Sequence, residues 1–127
     1  MKAQKLPLLI SLLLVAGSNA CEPGPGRKDI NCTEEFRTVG VKISGEPLSD
    51  YYTIRLSTSD TIRAKPGIEP SSGWYWILDD SYKELLKNRK EVFRFIGKRG
   101  NATVVDEEYL IEADHCHINK VSGKDEI

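Results

Sequence analysis

Apolar residues in this chain recur at every second position, a period that points to sheets and away from a helical bundle. Val39, Val41 and Ile43 fall on one side of an extended segment that Gly45-Glu46-Pro47 terminates, and Tyr52, Ile54 and Leu56 fall on one side of the next. Such alternation marks strands with one face wet. Gly73-Trp74-Tyr75-Trp76-Ile77-Leu78 differs, because five consecutive aromatic and aliphatic residues can bury both faces, and it reads as a central strand. Val92-Phe93-Arg94-Phe95-Ile96 and Tyr109-Leu110-Ile111 continue the pattern, separated by the turn-rich loop Gly97-Lys98-Arg99-Gly100-Asn101. One segment is helical instead. Ser81 and Glu84 make a capping box, Tyr82, Leu85 and Leu86 follow at helical spacing, and the basic end Asn88-Arg89-Lys90 closes about two turns. The expected fold is mainly β, an antiparallel β-sandwich of about seven strands with one short helix across an end.

The first twenty residues do not belong to that sandwich. Two lysines in Met1-Lys2-Ala3-Gln4-Lys5 precede the apolar run from Leu6 to Ala16, which is shorter than the about 20 residues a bilayer span needs. Small residues then follow in Gly17-Ser18-Asn19-Ala20, so residues 1–20 read as a signal peptide and the rest as exported. Ser18-Asn19-Ala20 suits ordinary signal peptidase. Cys21, next in line, suits lipidation, although a lipobox has an aliphatic residue and then a small one where Ser18 and Asn19 stand. Cysteine parity favours the lipid: if a thioether consumes Cys21, then Cys32 and Cys116 remain as one disulfide pair. The alternative leaves Cys21 as a free or intermolecular thiol at the mature N-terminus.

Prolines and glycines in Glu22-Pro23-Gly24-Pro25-Gly26-Arg27-Lys28 deny both helix and sheet, so residues 21–31 read as a flexible tether after a lipidated Cys21. Residues 32–127 form the single β-sandwich domain. Subtracting the leader and its two lysines from 127 residues and 18 basic groups leaves 107 residues with 16 basic against 19 acidic side chains, a net charge of −3. A core of that size stabilises modestly, and a bridge between Cys32 and Cys116, tying the first strand to the last, is worth about 4–5 kcal/mol in the loop-entropy model.

Nearly balanced charge supplies no long-range field for a polyanion, so nucleic acid is not an expected partner. The sequence holds no Gly-x-Ser-x-Gly, His-Glu-x-x-His or phosphate-binding glycine loop; no catalytic residue is assigned and no cofactor is expected. Four local clusters remain. His115-Cys116-His117, placed on a final strand, points two imidazoles one way, but two ligands fall short of the four of a closed zinc site, so His115 and His117 are weak metal candidates. With Cys116 facing inward beside Tyr109 and Ile111, that strand needs a bulge near Ala113 or Asp114. The pairs Asp79-Asp80 and Glu107-Glu108 are too close for a glycosidase acid and base and read as charges at the start of a helix and of a strand. Trp74, Tyr75 and Trp76 are possible ligand-binding residues, since an aromatic face can stack on a sugar; in a strand Trp74 and Trp76 share a side, leaving Tyr75 as the ring that faces out when theirs is the core. Two sequons, at Asn31 and Asn101, and the near-retrieval ending Lys124-Asp125-Glu126-Ile127 matter only in a eukaryotic secretory pathway.

Several of these residues carry a likeness. Cys32-Thr33-x-x-Phe36 with Val39-x-Val41, Gly73-x-Tyr75 with Asp79-Asp80, and above all the closing Ala113-Asp114-x-Cys116-His117-Ile118-x-Lys120-Val121-Ser122-Gly123 resemble a family of small, uncharacterised bacterial lipoproteins. The resemblance implies a location in the bacterial cell envelope, with a lipid-anchored chain in the outer membrane or periplasm or, failing the anchor, a secreted one. It implies nothing about substrate. A looser likeness, through Gly45-Glu46-Pro47 and the later Gly-x-Tyr, is to transthyretin-like or carboxypeptidase-regulatory β-sandwiches, which with the Ig-like sandwich are the expected fold types. The expected role is a binding or accessory module with a protein or glycan ligand and a membrane as partners. Two alternatives stand beside it: an inhibitor that inserts the Thr61–Ser72 segment into a hydrolase cleft, and a metal-dependent enzyme using His115 and His117.

Overall fold

The computed structural model describes residues 30–127. The expected signal peptide, the expected lipidation site Cys21 and all but the end of the expected tether lie outside the described residues. Ile30 and Asn31, which end the tether, are exposed and belong to no strand or helix. Seven strands follow: β1 (Thr38–Lys42), β2 (Asp50–Arg55), β3 (Asp60–Ile62), β4 (Trp74–Asp79), β5 (Lys90–Arg99), β6 (Ala102–Ala113) and β7 (Ile118–Ser122). Between β4 and β5 the chain makes a 3₁₀ turn, Asp80–Tyr82, and a single helical turn, α1 (Lys83–Leu86).

The strands form two antiparallel sheets, β1-β4 and β3-β2-β5-β6-β7, so the described residues are mainly β with one short helix. Its seven strands divide two and five, where an Ig constant-type sandwich divides them four and three. One core fills the space between the sheets. Val39, Val41, Tyr75, Ile77 and Leu78 enter it from the small sheet, and Phe93, Phe95, Val105, Tyr109, Ile111 and Ile118 from the large one. Leu86 of α1 closes one end, fully buried. A buried polar contact joins the sheets through this core: the Thr53 hydroxyl donates to the Ile77 carbonyl at 2.9 Å.

Several expectations change in three dimensions. β2 presents Tyr51 and Thr53 inward in place of Tyr52, Ile54 and Leu56, since the Thr53 hydroxyl finds its acceptor inside and Tyr52 turns out beneath Arg63 and Lys98. β4 is buried on both faces as its composition predicts, yet it pairs only with β1 and is central to the molecule, not to a sheet. Gly97 to Asn101 is not a loop: β5 runs to Arg99, and Gly100 at φ +61° makes the tight reversal into β6. Glu107-Glu108 therefore lies inside β6, not at its start. The helix is shorter than two turns, and its first turn is capped by Asp79, whose Oδ1 accepts from the Ser81 N–H at 2.9 Å, so Ser81 is not the cap. No bulge forms at Ala113 or Asp114: alternation runs through Tyr109, Ile111 and Ala113, and the register shift lies between Leu110 and Ile111.

The last residues complete β1. Lys42 N–H donates to the Asp125 carbonyl at 2.9 Å, Ile127 N–H to the Lys42 carbonyl at 2.8 Å and Ser44 N–H to the Ile127 carbonyl at 2.8 Å. Asp125 to Ile127 thus lie along the edge of β1, held by these bonds and an isolated parallel bridge between Lys42 and Glu126.

Candidate functional site

Cys32 and Cys116 are joined by a disulfide, with Cα atoms 5.3 Å apart and a sequence separation of 84. The bond links the segment entering β1 to the β6–β7 connection, so it ties ends of the two sheets, although neither cysteine lies in a strand. Its sequence neighbours are held together as a result. Thr33 and His117 each follow a bridged cysteine, and their side chains meet: Thr33 Oγ1 lies 3.0 Å from His117 Nε2. On the other side of the ring, His117 Nδ1 lies 2.7 Å from Asp80 Oδ2.

Asp80 and His117 are 7 % and 6 % exposed. A buried carboxylate persists only where donors surround it, and Asp80 has three: Arg37 N–H at 2.7 Å and Ile118 N–H at 2.8 Å join the imidazole. Burial raises the carboxyl's proton affinity, but the hydrogen bonds from Arg37, His117 and Ile118 outweigh it and hold Asp80 below its ordinary range. An ionised Asp80 can only accept, so the proton between the two groups sits on His117 Nδ1, and the Thr33 hydroxyl, which both donates and accepts, meets Nε2. The order hydroxyl, imidazole, carboxylate is that of a general-base relay. Here it joins the N-terminal segment, the turn after β4 and β7 in one buried clamp. Sequence reasoning missed Thr33 and Asp80, because their partnership spans 84 and 37 residues and no local spacing encodes it.

The paired histidines do not converge. Residues 114–117 form a turn in which Asp114 Oδ1 accepts from Cys116 N–H at 2.7 Å and His117 N–H at 2.8 Å, so His115 and His117 do not alternate along a strand. His115 is exposed, while both ring nitrogens of His117 are engaged. Among the described residues no group of three or more His, Cys, Asp or Glu side chains is placed to hold a metal ion.

The aromatic trio separates as well, with a different member outside from the one its alternation predicts. Tyr75 and Trp76 are each 3 % exposed and satisfied inside the fold, Tyr75 Oη accepting from Leu48 N–H at 2.8 Å and Trp76 Nε1 donating to Asp79 Oδ2 at 3.3 Å. Trp74 is 37 % exposed. A register shift between Val39 and Gly40 breaks strict alternation on the β1-β4 pair, and Trp74 stands at the start of its strand, where cover ends. Its benzo ring lies against Gly40, where any Cβ would overlap it. The indole thus forms part of a groove of about 310 Å³ between β1 and β7, rimmed by Arg37, Asn119, Lys120 and Asp125. Arg37 Nη1 donates to Asn119 Oδ1 at 2.7 Å across this seam, and Lys120 pairs with Asp125.

The Thr61–Ser72 segment begins inside β3, and its remainder is braced. Arg63 Nη1 meets Asp50 Oδ1 at 2.7 Å, Lys65 Nζ donates to Ser81 Oγ at 2.8 Å, and Ala64 and Ile68 pack against the core, while Pro66-Gly67 and residues 69–72 are exposed. Of the acidic pairs, Asp79 and Asp80 are buried in structural contacts, and Glu107 pairs with Lys124 at 2.5 Å. The chain is matched by no family model, no curated protein and no solved structure.

Proposed function

We propose that this chain is an exported bacterial envelope protein, lipid-anchored through Cys21, that acts as a binding module through the groove between β1 and β7. One observation carries the binding role: Trp74 keeps an accessible indole in a polar-rimmed groove while its two aromatic neighbours are consumed by the core. The Cys32–Cys116 disulfide supports an oxidising, non-cytoplasmic compartment. No helix among the described residues is long and apolar enough to cross a membrane; the leader of residues 1–20 placed just before Cys21, and the likeness of residues 32–123 to small lipoproteins, support the anchor.

Intact-mass spectrometry of the protein from a bacterial host that exports it tests the anchor. The expected mature chain starts at a diacylated Cys21 and is lighter by the two hydrogens that the disulfide removes; Cys21→Ser should abolish the acylation and release the chain to the soluble fraction. An unmodified N-terminus would establish a freely secreted protein instead. The bracing of the Thr61–Ser72 segment favours a second reading, hydrolase inhibition through the Pro66-Gly67 tip, because a rigid loop binds without ordering cost. Inhibition assays against lytic enzymes, lost on Gly67→Arg, would support that reading.

A further inference from the structure

We propose that the groove between β1 and β7 is a saccharide site in which the indole of Trp74 stacks on a pyranose ring. The inference rests on the binding-module reading and names its ligand class. A sugar ring offers an apolar C–H face edged by hydroxyls that both donate and accept. The groove matches both parts. Its apolar element is one flat ring, held in place by the missing side chain of Gly40, which makes the platform preformed. Its rim mixes donors and acceptors that are already fixed: Arg37 by its bond to Asn119 Oδ1, and Lys120 by its pairing with Asp125. Arg37 and Lys120 retain further N–H groups beyond these contacts, suited to ring hydroxyls or a sugar carboxylate. A volume of about 310 Å³ suits a small ligand of one or two rings.

The same geometry argues against a peptide strand. Beyond Val41 the free edge of β1 is already taken by the chain's own Asp125–Ile127, and the Arg37 side chain crosses to Asn119 at the other end. Too little unpaired backbone remains for strand addition. Near-neutral overall charge likewise gives no field for a nucleic acid.

The chain has two tryptophans, one exposed and one buried, and their indole N–H resonances make the test internal. The ¹⁵N-labelled protein is titrated with chitotetraose, cellotetraose and soluble glycan strands from a peptidoglycan digest. At least one should shift the Trp74 indole resonance saturably while Trp76 stays in place. Trp74→Ala should weaken binding at least about tenfold, as truncation of a central aromatic anchor does. Gly40→Ala, which displaces the ring without removing it, should weaken it too, and Trp74→Phe should retain part of the affinity in a chain whose fold its dispersed spectrum verifies. No shift of Trp74 with any of the three up to about 10 mM, where binding falls below the millimolar scale, overturns the proposal. So does binding of undiminished affinity to Trp74→Ala, read from the backbone amides of Gly40, Asn119 and Lys120, which line the groove. A photo-crosslinking residue at position 119 in the exporting host separates the two readings. Protein capture without a saccharide shift ends the saccharide site and leaves the binding module, whereas neither signal ends both.

Discussion

Asp80 is the residue on which the two sheets, the N-terminal segment and the β4–β5 connection most depend. Truncating it leaves His117 and the N–H groups of Arg37 and Ile118 without their acceptor in a buried site, so Asp80→Ala should cost about 3–5 kcal/mol, read from urea midpoints at neutral pH. The effect has a pH signature. Because the folded state lowers this carboxyl's proton affinity, its contribution is complete above the ordinary value of 3.8 and is lost as pH falls through the lower folded value. The stability gap between wild type and Asp80→Ala should therefore shrink below about pH 4; a gap constant from pH 7 to pH 2.5 would contradict the clamp. Gly123 is a second sensitive position. It sits at φ +127°, and a Cβ there would overlap the fully buried Tyr109 ring, so Gly123→Ala should lower stability by about 1–3 kcal/mol in the same assay. That ring's hydroxyl, lifted to about 12 by burial and the nearby Glu107 and Asp125, should stay protonated throughout an alkaline titration to pH 10.

At the scale of elements, α1 is too short to be stable by itself and exists because it delivers one side chain to the core. Leu86 is fully buried, so Leu86→Ala should cost about 2–5 kcal/mol, while Lys83→Ala on the same turn should be near neutral, both measured by denaturant unfolding. Strand existence was legible wherever apolar residues clustered, as in β1, β4, β5 and the second half of β6. β3 was not: it has three residues, Asp60 to Ile62, with one buried side chain, and owes its ladder to β2. The facing of β2 was misread for a related reason. Tyr51, Tyr52 and Ile54 offer apolar surface to both sides, so the alternation has two solutions, and the Thr53 hydroxyl with the Tyr75 and Phe95 rings beside Tyr51 selects one.

For the molecule as a whole, the disulfide ties the segment before β1 covalently to the β6–β7 connection. A Cys32→Ala, Cys116→Ala variant should lose about 2–5 kcal/mol. The loss should also have a location: hydrogen exchange should quicken in residues 30–37 and around Asp114–His117, because the clamp at His117 depends on both stapled segments, while the β5–β6 ladder stays protected. Uniform acceleration across both sheets would mean that the bridge supports the entire core.

By itself the sequence determined what depends on local order and counting. Period-two apolar spacing specified a β-rich domain, an even pair of cysteines after Cys21 specified the bridge, and a run of five large apolar residues specified a strand covered on both faces. Only the tertiary structure decided which of three adjacent aromatics stays accessible, that His117 is buried with both ring nitrogens engaged while His115 stays exposed, and that Thr33 and Asp80 are the partners of His117. The physical reason is shared. Burial and hydrogen bonding are properties of surfaces brought together from distant parts of the chain, and a pattern of neighbours along the sequence carries no record of which surface each side chain will meet.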